Sequence, residues 1–201
     1  MNLSTNRRNA LFVALTTSAL LAACGGGGGG GEDAAPATPV FGQNGSVDVN
    51  TVSMDAGQTC NVARFPQEIL AAINAARAAG QNCGGTNMAP AGPLTWNVLI
   101  AAASAKHSSD MATNGFFAHT GSDGSAGFER MSNTGYRYNY NSEILNRSTG
   151  GDMSKVVSRS VSGFLSSPPH CQALMQPDFK EMGAACVRSG SNAYTTVNFG
   201  G

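Results

Sequence analysis

The sequence predicts an α+β domain, because helical periodicity fills its middle and a strand pair closes it. Residues 65–77, 94–114 and 153–165 repeat apolar side chains every three or four positions, which is typical of helices with one buried face. Residues 183–188 and 193–199 flank a Ser-Gly-Ser-Asn turn, which predicts a C-terminal hairpin of two strands. We therefore expect helices packed on a sheet.

Proline and glycine residues mark the ends of the predicted helices. Pro66 stands at the front of the first helix and Gly80 follows it. The second helix is expected to begin at Leu94 and to run to Asn114, and it carries His107 on an apolar face, where a hydrogen-bonded core histidine is the expected role. The other predicted features are a short helix over residues 128–134, an extended tyrosine-rich segment over 136–140 and a helix stop at Ser166–Pro169.

The N-terminus predicts export from the cytoplasm. Arg7 and Arg8 precede a short apolar run over residues 10–20. A membrane-spanning helix needs about 20 apolar residues, so the run is typical of a secretory signal instead. Residues 1–23 are therefore assigned to a signal peptide.

The end of this signal resembles a bacterial lipobox. In Leu21–Cys24 small residues precede a cysteine, which implies cleavage before Cys24 and acylation of its sulfur. An ordinary signal with an incidental cysteine is the alternative. Gly25, and not aspartate, comes next, a pattern that implies an outer-membrane lipoprotein, periplasmic or surface-facing. Residues 24–58 are rich in Gly, Ala and Pro and predict a flexible tether to a domain over residues 59–201.

Charge and length limit the class of protein. Two of the twelve Lys and Arg lie in the signal, which leaves ten against twelve Asp and Glu, a net charge of −2 for the mature chain. Basic stripes are missing from the sequence, so nucleic acid is not an expected partner. The remaining length suits one domain with a hydrophobic core of its own.

The cysteines predict two disulfides. Apart from Cys24 the chain has four, an even number in an exported protein. Three pairings are open, and short loops favour Cys60 with Cys83 and Cys171 with Cys186. A zinc–thiolate site is the alternative, but the sequence lacks the C-x-x-C spacing that would support it.

Three dispersed residues are candidates for chemistry: His119, Glu143 and His170. Two imidazoles and a carboxylate suit zinc or another divalent metal, and the same groups suit proton transfer. Glu129 is a further candidate ligand, although a surface carboxylate paired with Arg130 or with solvent is the favoured interpretation.

The order of several short motifs resembles the CAP superfamily, which comprises the cysteine-rich secretory, antigen 5 and pathogenesis-related class 1 proteins. The chain is most similar to the bacterial SCP-like extracellular branch, over residues 65–201. The matching motifs are Leu94–Trp96, His107–Ala112, Phe116–Thr120, Asp123–Gly124, Gly135–Tyr136, Glu143, Ser167–His170 and Asn198–Gly200.

This resemblance implies a three-layer α-β-α sandwich with a central antiparallel sheet. It also implies a cleft with two histidines and two glutamates that binds metal in some members. His119, Glu143 and His170 match three of these positions, whereas the second glutamate would fall near Ser167 and is missing. Pro169 stands in place of the glycine before the second histidine and is expected to stiffen the loop there.

Together with the lipobox-like signal, the resemblance predicts a non-enzymatic, membrane-tethered module that binds a lipid, a cell-envelope component or a protein. Two alternatives stay open at this point. One is a metal-dependent peptidase or esterase, in which His119 and His170 hold the metal and Glu143 activates its water. The other is a purely structural or adhesive envelope protein.

Overall fold

The computed structural model describes residues 44–201. The predicted signal peptide, Cys24 and the first part of the predicted tether lie outside the described residues. The end of the predicted tether is described, and it is part of the fold, since four of its apolar side chains pack against the main hydrophobic core: Val47, Val49, Val52 and Met54. The folded part therefore begins before the predicted boundary at residue 59. Within the described range, none of the helices has the length and apolar character needed to cross a membrane.

Residues 44–201 contain seven strands and five α-helices. The strands are β1 (Ser46–Val47), β2 (Gln81–Cys83), β3 (Thr86–Met88), β4 (Thr95–Asn97), β5 (Asn141–Thr149), β6 (Glu181–Ser189) and β7 (Asn192–Gly200). The helices are α1 (Phe65–Ala79), α2 (Val98–Asn114), α3 (Gly127–Asn133), α4 (Val156–Ser166) and α5 (Pro168–Leu174). Short 3-10 turns lie at Val49–Thr51, Ala56–Gln58 and Met153–Lys155.

Five strands form one sheet in the order β1-β4-β6-β7-β5. The predicted C-terminal hairpin is confirmed, since β6 pairs with β7 along its whole length. Three of the four strand pairs are antiparallel, but β4 runs parallel to β6, so the sheet is mixed and not wholly antiparallel. Strands β2 and β3 form a separate two-stranded hairpin.

Helices cover both faces of the sheet, which confirms the α-β-α sandwich. Side chains alternate between the two faces along β7. On one face Asn198 Nδ2 donates to Ser104 Oγ of α2 at 2.9 Å. On the other, Ser160 Oγ of α4 donates to Thr195 Oγ1 at 3.1 Å, and Phe199 joins the core that includes residues of α1 and α4.

Helix α2 begins later than the sequence predicts. Thr95 to Asn97 form β4, because the Thr95 N–H donates to the Lys180 carbonyl at 3.0 Å and the strand pairs with β6. The Asn97 side chain then accepts from the Leu99 N–H at 2.9 Å and acts as the N-cap of the helix. The predicted helical start at Leu94 was wrong because the apolar pattern runs continuously through a buried strand into a helix.

The segment around His170 also differs from the expectation. Helix α4 ends at Ser166 as predicted, but Pro168 opens α5 instead of a loop. Proline is tolerated in the first turn of a helix, where its missing N–H would have no helical partner. His170 therefore lies in a helix that starts one residue after Ser167.

Strand β5 was not predicted, although it carries Glu143. It pairs with β7 over nine residues, from Asn141 opposite Gly200 to Thr149 opposite Asn192. The tyrosine-rich segment over residues 136–140, in which we expected extended structure, forms no strand and leads into β5.

The disulfide pairing predicted from loop length was wrong. The bridges join Cys60 to Cys186 and Cys83 to Cys171. The Cys60 N–H also donates to the Cys186 carbonyl at 2.9 Å, so the two backbones are already in contact. Cys83 ends β2, which packs beside α5 and Cys171. Tertiary packing brings these distant cysteines together, so loop length was a poor guide to the pairing.

Candidate functional site

The site is built around the Glu143 carboxylate on β5. Its side chain is only 6% exposed, and its Oε1 lies 3.0 Å from His119 Nδ1. His107 Nε2 lies 3.8 Å from the same oxygen, and Arg130 contacts both carboxylate oxygens. We call these four residues, His107, His119, Arg130 and Glu143, the histidine–carboxylate cluster.

The sheet register explains why the cluster forms. Glu143 lies opposite Asn198 of β7, and directly paired residues share a face of the sheet. Asn198 points at α2, so Glu143 points into the same layer, which holds α2 and α3. His107 lies on α2 and Arg130 on α3. The loop between these helices supplies His119.

Arg130 is the centre of the hydrogen-bond network. It is 2% exposed, and its Nη2 donates to Glu143 Oε2 at 2.8 Å and to Oε1 at 3.0 Å. The same nitrogen donates to the His119 carbonyl at 2.8 Å, and Nη1 donates to the Ser125 carbonyl at 2.6 Å. Arg130 thus fixes both ends of the His119–Ser125 loop against Glu143. This role was not predicted from the sequence.

Glu129, the further candidate ligand, lies outside the cluster's contacts. Its Oε2 accepts from the Ala126 N–H at 2.8 Å and so satisfies a free donor at the start of α3. Its neighbour Arg130 pairs with Glu143 and not with Glu129. Glu129 therefore stabilises a helix end.

His107 has the core role expected of it. It is fully buried, and its Nε2 is 2.8 Å from the Ala118 carbonyl, so this nitrogen carries the hydrogen. Burial lowers the pKa of His107 below its ordinary value; the charge of Arg130 lowers it further, and that of Glu143 opposes the shift. His107 is accordingly a neutral donor that holds the Ala118 end of the loop.

The Glu143 carboxyl is held in its ionised form. Burial raises its pKa, but hydrogen bonds from His119 and Arg130, together with the Arg130 charge, lower it further than burial raises it. The pKa of Glu143 is therefore below its ordinary value of 4.5. At neutral pH Glu143 is therefore an acceptor with donors on both oxygens.

The ionised Glu143 fixes the tautomer of His119. Because a carboxylate only accepts, His119 Nδ1 must donate to it, and in the neutral ring Nε2 then carries the lone pair. The His119 side chain is 57% exposed. The cluster thus presents one oriented imidazole nitrogen to solvent.

His170 approaches the site from the opposite helical layer. Its ring is half-buried and packs edge-on against Phe164 of α4, with ring centroids 6.0 Å apart. Burial lowers the pKa of His170, and the charge of His119 lowers it further. Helices α3, α4 and α5 all contact the edge strand β5. Both histidines therefore lie near β5, His119 through its bond to Glu143 and His170 on a helix that contacts the strand.

An exposed aromatic–cation pair extends the surface beside His119. Phe117 is 41% exposed, and the Arg147 guanidinium carbon lies 5.4 Å from the centre of its ring. Arg147 is on the same face of β5 as Glu143, because the two residues are four positions apart along the strand. We call Phe117, His119, Arg147 and His170 the His119 surface.

The structure does not confirm the divalent metal predicted at His119 and His170. Catalytic zinc sites use three protein ligands. Both oxygens of Glu143 accept from Arg130, so His119 and His170 are the two remaining candidate ligands. Across residues 44–201, no three His, Cys, Asp or Glu side chains converge in a way that could hold a metal ion.

The fold and the site define an α-β-α sandwich with a histidine–carboxylate cluster at the sheet edge. The family model described as the cysteine-rich secretory protein (CAP) family matches residues 70–199. The chain belongs to the CAP family. No curated protein matches the sequence.

Several solved structures are similar to the chain. NaASP2, in a crystal structure with Zn²⁺, has a TM-score of 0.53 at 14% identity over 74% of this chain and 84% of its own, which supports the fold. An outer surface protein from Borrelia burgdorferi has a TM-score of 0.48 at 19% identity, over 74% of this chain and 96% of its own. An extracellular protein containing a SCP domain from Bacillus anthracis str. Ames has a TM-score of 0.46 at 24% identity, over 55% and 34%.

Proposed function

We propose that the protein is a membrane-tethered, extracytoplasmic module that binds a lipid, a cell-envelope component or a protein at the His119 surface without catalysing a reaction. One observation carries the proposal: the exposed His119 imidazole is oriented by the buried Arg130–Glu143 pair. Ligand contacts made by a side chain that is already fixed lose less conformational entropy on binding.

The neighbouring side chains support a binding role. Phe117 offers an exposed aromatic face, and Arg147 above it offers a planar set of donors. Aromatic and arginine side chains are the residues that contribute most to protein interfaces. A ligand with an apolar or ring-shaped part next to a hydrogen-bonding group would match this surface.

The hydrolase alternative has weaker support because it needs a free general base. The Glu143 side chain is 6% exposed, its pKa is lowered and both of its oxygens accept from Arg130, so it is a weak base with little access to water. A candidate base must reach the proton that it abstracts. The geometry favours Glu143 as an orienting group for His119.

Ligand retention tests this proposal. Full-length protein is incubated with a detergent extract of cell envelope and washed, and the small molecules released on denaturation are identified by mass spectrometry. We expect His119→Ala to lose at least about 90% of the specifically retained species, because losing a contact worth about 1.4 kcal/mol lowers the affinity tenfold. Lys155→Ala removes an exposed cation elsewhere and should retain them. Equal retention by wild type and His119→Ala would refute the proposed site.

The tether proposal rests on Cys24 and the lipobox-like residues before it. We propose that an acylated Cys24 holds the module at the outer membrane of a bacterial envelope. Cys24→Ala should move the protein from the membrane fraction to the soluble fraction, measured by immunoblotting after cell fractionation, because the acyl chains supply the membrane affinity. Unchanged membrane retention of the variant would contradict the lipid anchor.

A further inference from the structure

We infer that Arg130 is the internal cation of the histidine–carboxylate cluster, which neutralises Glu143 and excludes this carboxylate as a metal ligand. The inference deepens the proposed function, on which it rests, because it limits the class of ligand.

Arg130 contacts both oxygens of the carboxylate. The Nη2 group lies within 3.0 Å of both Glu143 oxygens. A metal in the position of the guanidinium would have to displace these bonds. Because Arg130 is almost fully buried, the displaced guanidinium would have no water to replace the carboxylate.

Displacement of Arg130 would also break the loop that carries His119. Its two terminal nitrogens donate to the carbonyls of His119 and Ser125 as well as to Glu143. If Arg130 stayed in place, a divalent ion beside Glu143 would face the positive charge of the guanidinium at close range. Either course opposes metal binding through Glu143.

The neutralisation of Glu143 by Arg130 limits the class of ligand. With the charge of Glu143 neutralised by Arg130, the groups that the His119 surface offers are imidazoles and the Arg147 guanidinium. The Arg147 guanidinium donates and Nε2 of the neutral His119 ring accepts, so these groups suit a neutral or anionic partner that carries both a hydrogen-bond acceptor and a donor. Arg130 would thus set the specificity of the site without touching the ligand.

Zinc titration of the full-length chain tests the inference, with chelator competition to measure the affinity. Arg130→Met removes the guanidinium and frees Glu143, so its Zn²⁺ affinity should exceed that of wild type by at least about tenfold. Arg188→Met removes an exposed arginine that bonds only to a local carbonyl, and it should match wild type. Adding His119→Ala to Arg130→Met should abolish the gain. A folded Arg130→Met variant with unchanged or weaker affinity would overturn the inference.

A measurement on the wild-type chain keeps the test valid if Arg130→Met does not fold. The ¹³C signal of the Glu143 carboxyl carbon and the ¹⁵N signals of the Arg130 guanidinium are followed during Zn²⁺ addition. The guanidinium signals should stay unchanged throughout the titration, because Arg130 keeps its bonds to Glu143. Zinc-induced shifts of both the guanidinium and the carboxyl signals would show that zinc displaces Arg130 from Glu143, which would overturn the inference. Loss of envelope-ligand retention, by contrast, bears only on the proposed function.

Discussion

Replacing Arg130 with methionine should lower the free energy of unfolding by about 3–5 kcal/mol, because it leaves the Glu143 carboxylate buried without its cation. The Arg130 side chain is 1% exposed and that of Glu143 is 6% exposed, so solvent screens the pair only weakly. Urea denaturation at neutral pH measures the change. The control Arg188→Met should stay within about 0.5 kcal/mol of wild type.

A double-mutant cycle separates the ion pair from other losses. Glu143→Gln alone should be destabilising for the same reason, since it strands the Arg130 guanidinium. The double variant Arg130→Met/Glu143→Gln should lose less than the sum of the two single changes. Additive losses would mean that the two side chains do not interact in the folded protein, which would contradict the cluster.

The cluster also predicts a pH dependence. The pKa of Glu143 is lower in the folded protein than its ordinary value of 4.5. A depressed pKa stabilises the fold above the unfolded-state pKa, and this contribution is lost as the pH falls through the folded-state pKa. Below about pH 4.5 the stability of Glu143→Gln should therefore fall less steeply with acidification than that of wild type.

Removing either disulfide should also lower the stability of the fold by a large amount. The Cys60–Cys186 bridge spans 126 residues and the Cys83–Cys171 bridge spans 88. Loops of this size correspond to about 4–5 kcal/mol each in the chain-entropy model. Cys60→Ala/Cys186→Ala and Cys83→Ala/Cys171→Ala should each lose stability on this scale in thermal unfolding.

The two bridges should differ in their effect on the site. Cys171 follows His170 directly in α5, so loss of its bridge should shift the NMR signals of the His170 ring, which packs against Phe164. Loss of the Cys60–Cys186 bridge should leave those signals in place. A non-reducing peptide map checks the pairing itself, and a peptide that joins Cys60 to Cys83 would contradict it.

Local sequence patterns predicted the parts of the fold that depend on local structure. The period of residues 65–77, with the proline and glycine at their ends, correctly located α1. The C-terminal hairpin followed from its turn residues. The order of short motifs, through a family resemblance, singled out His119 and Glu143, which the structure brings to within 3.0 Å.

The remaining features depend on contacts between distant elements. Strand β4 is three residues long and merges into the apolar pattern of α2, so its separate identity requires the pairing with β6. The disulfides follow from packing over 126 and 88 residues. Arg130 looked like the partner of its neighbour Glu129, and only the position of β5 reveals that it pairs with Glu143.

The most direct test of the central claim follows the His119 ring during ligand addition. The ¹H–¹³C signal of the ring carbon next to Nε2 is recorded while the species retained from the envelope extract is titrated into the full-length protein. The account predicts a saturable shift of this signal, while the signals of the buried His107 ring stay in place. Saturable binding that leaves the His119 signal unmoved would contradict it.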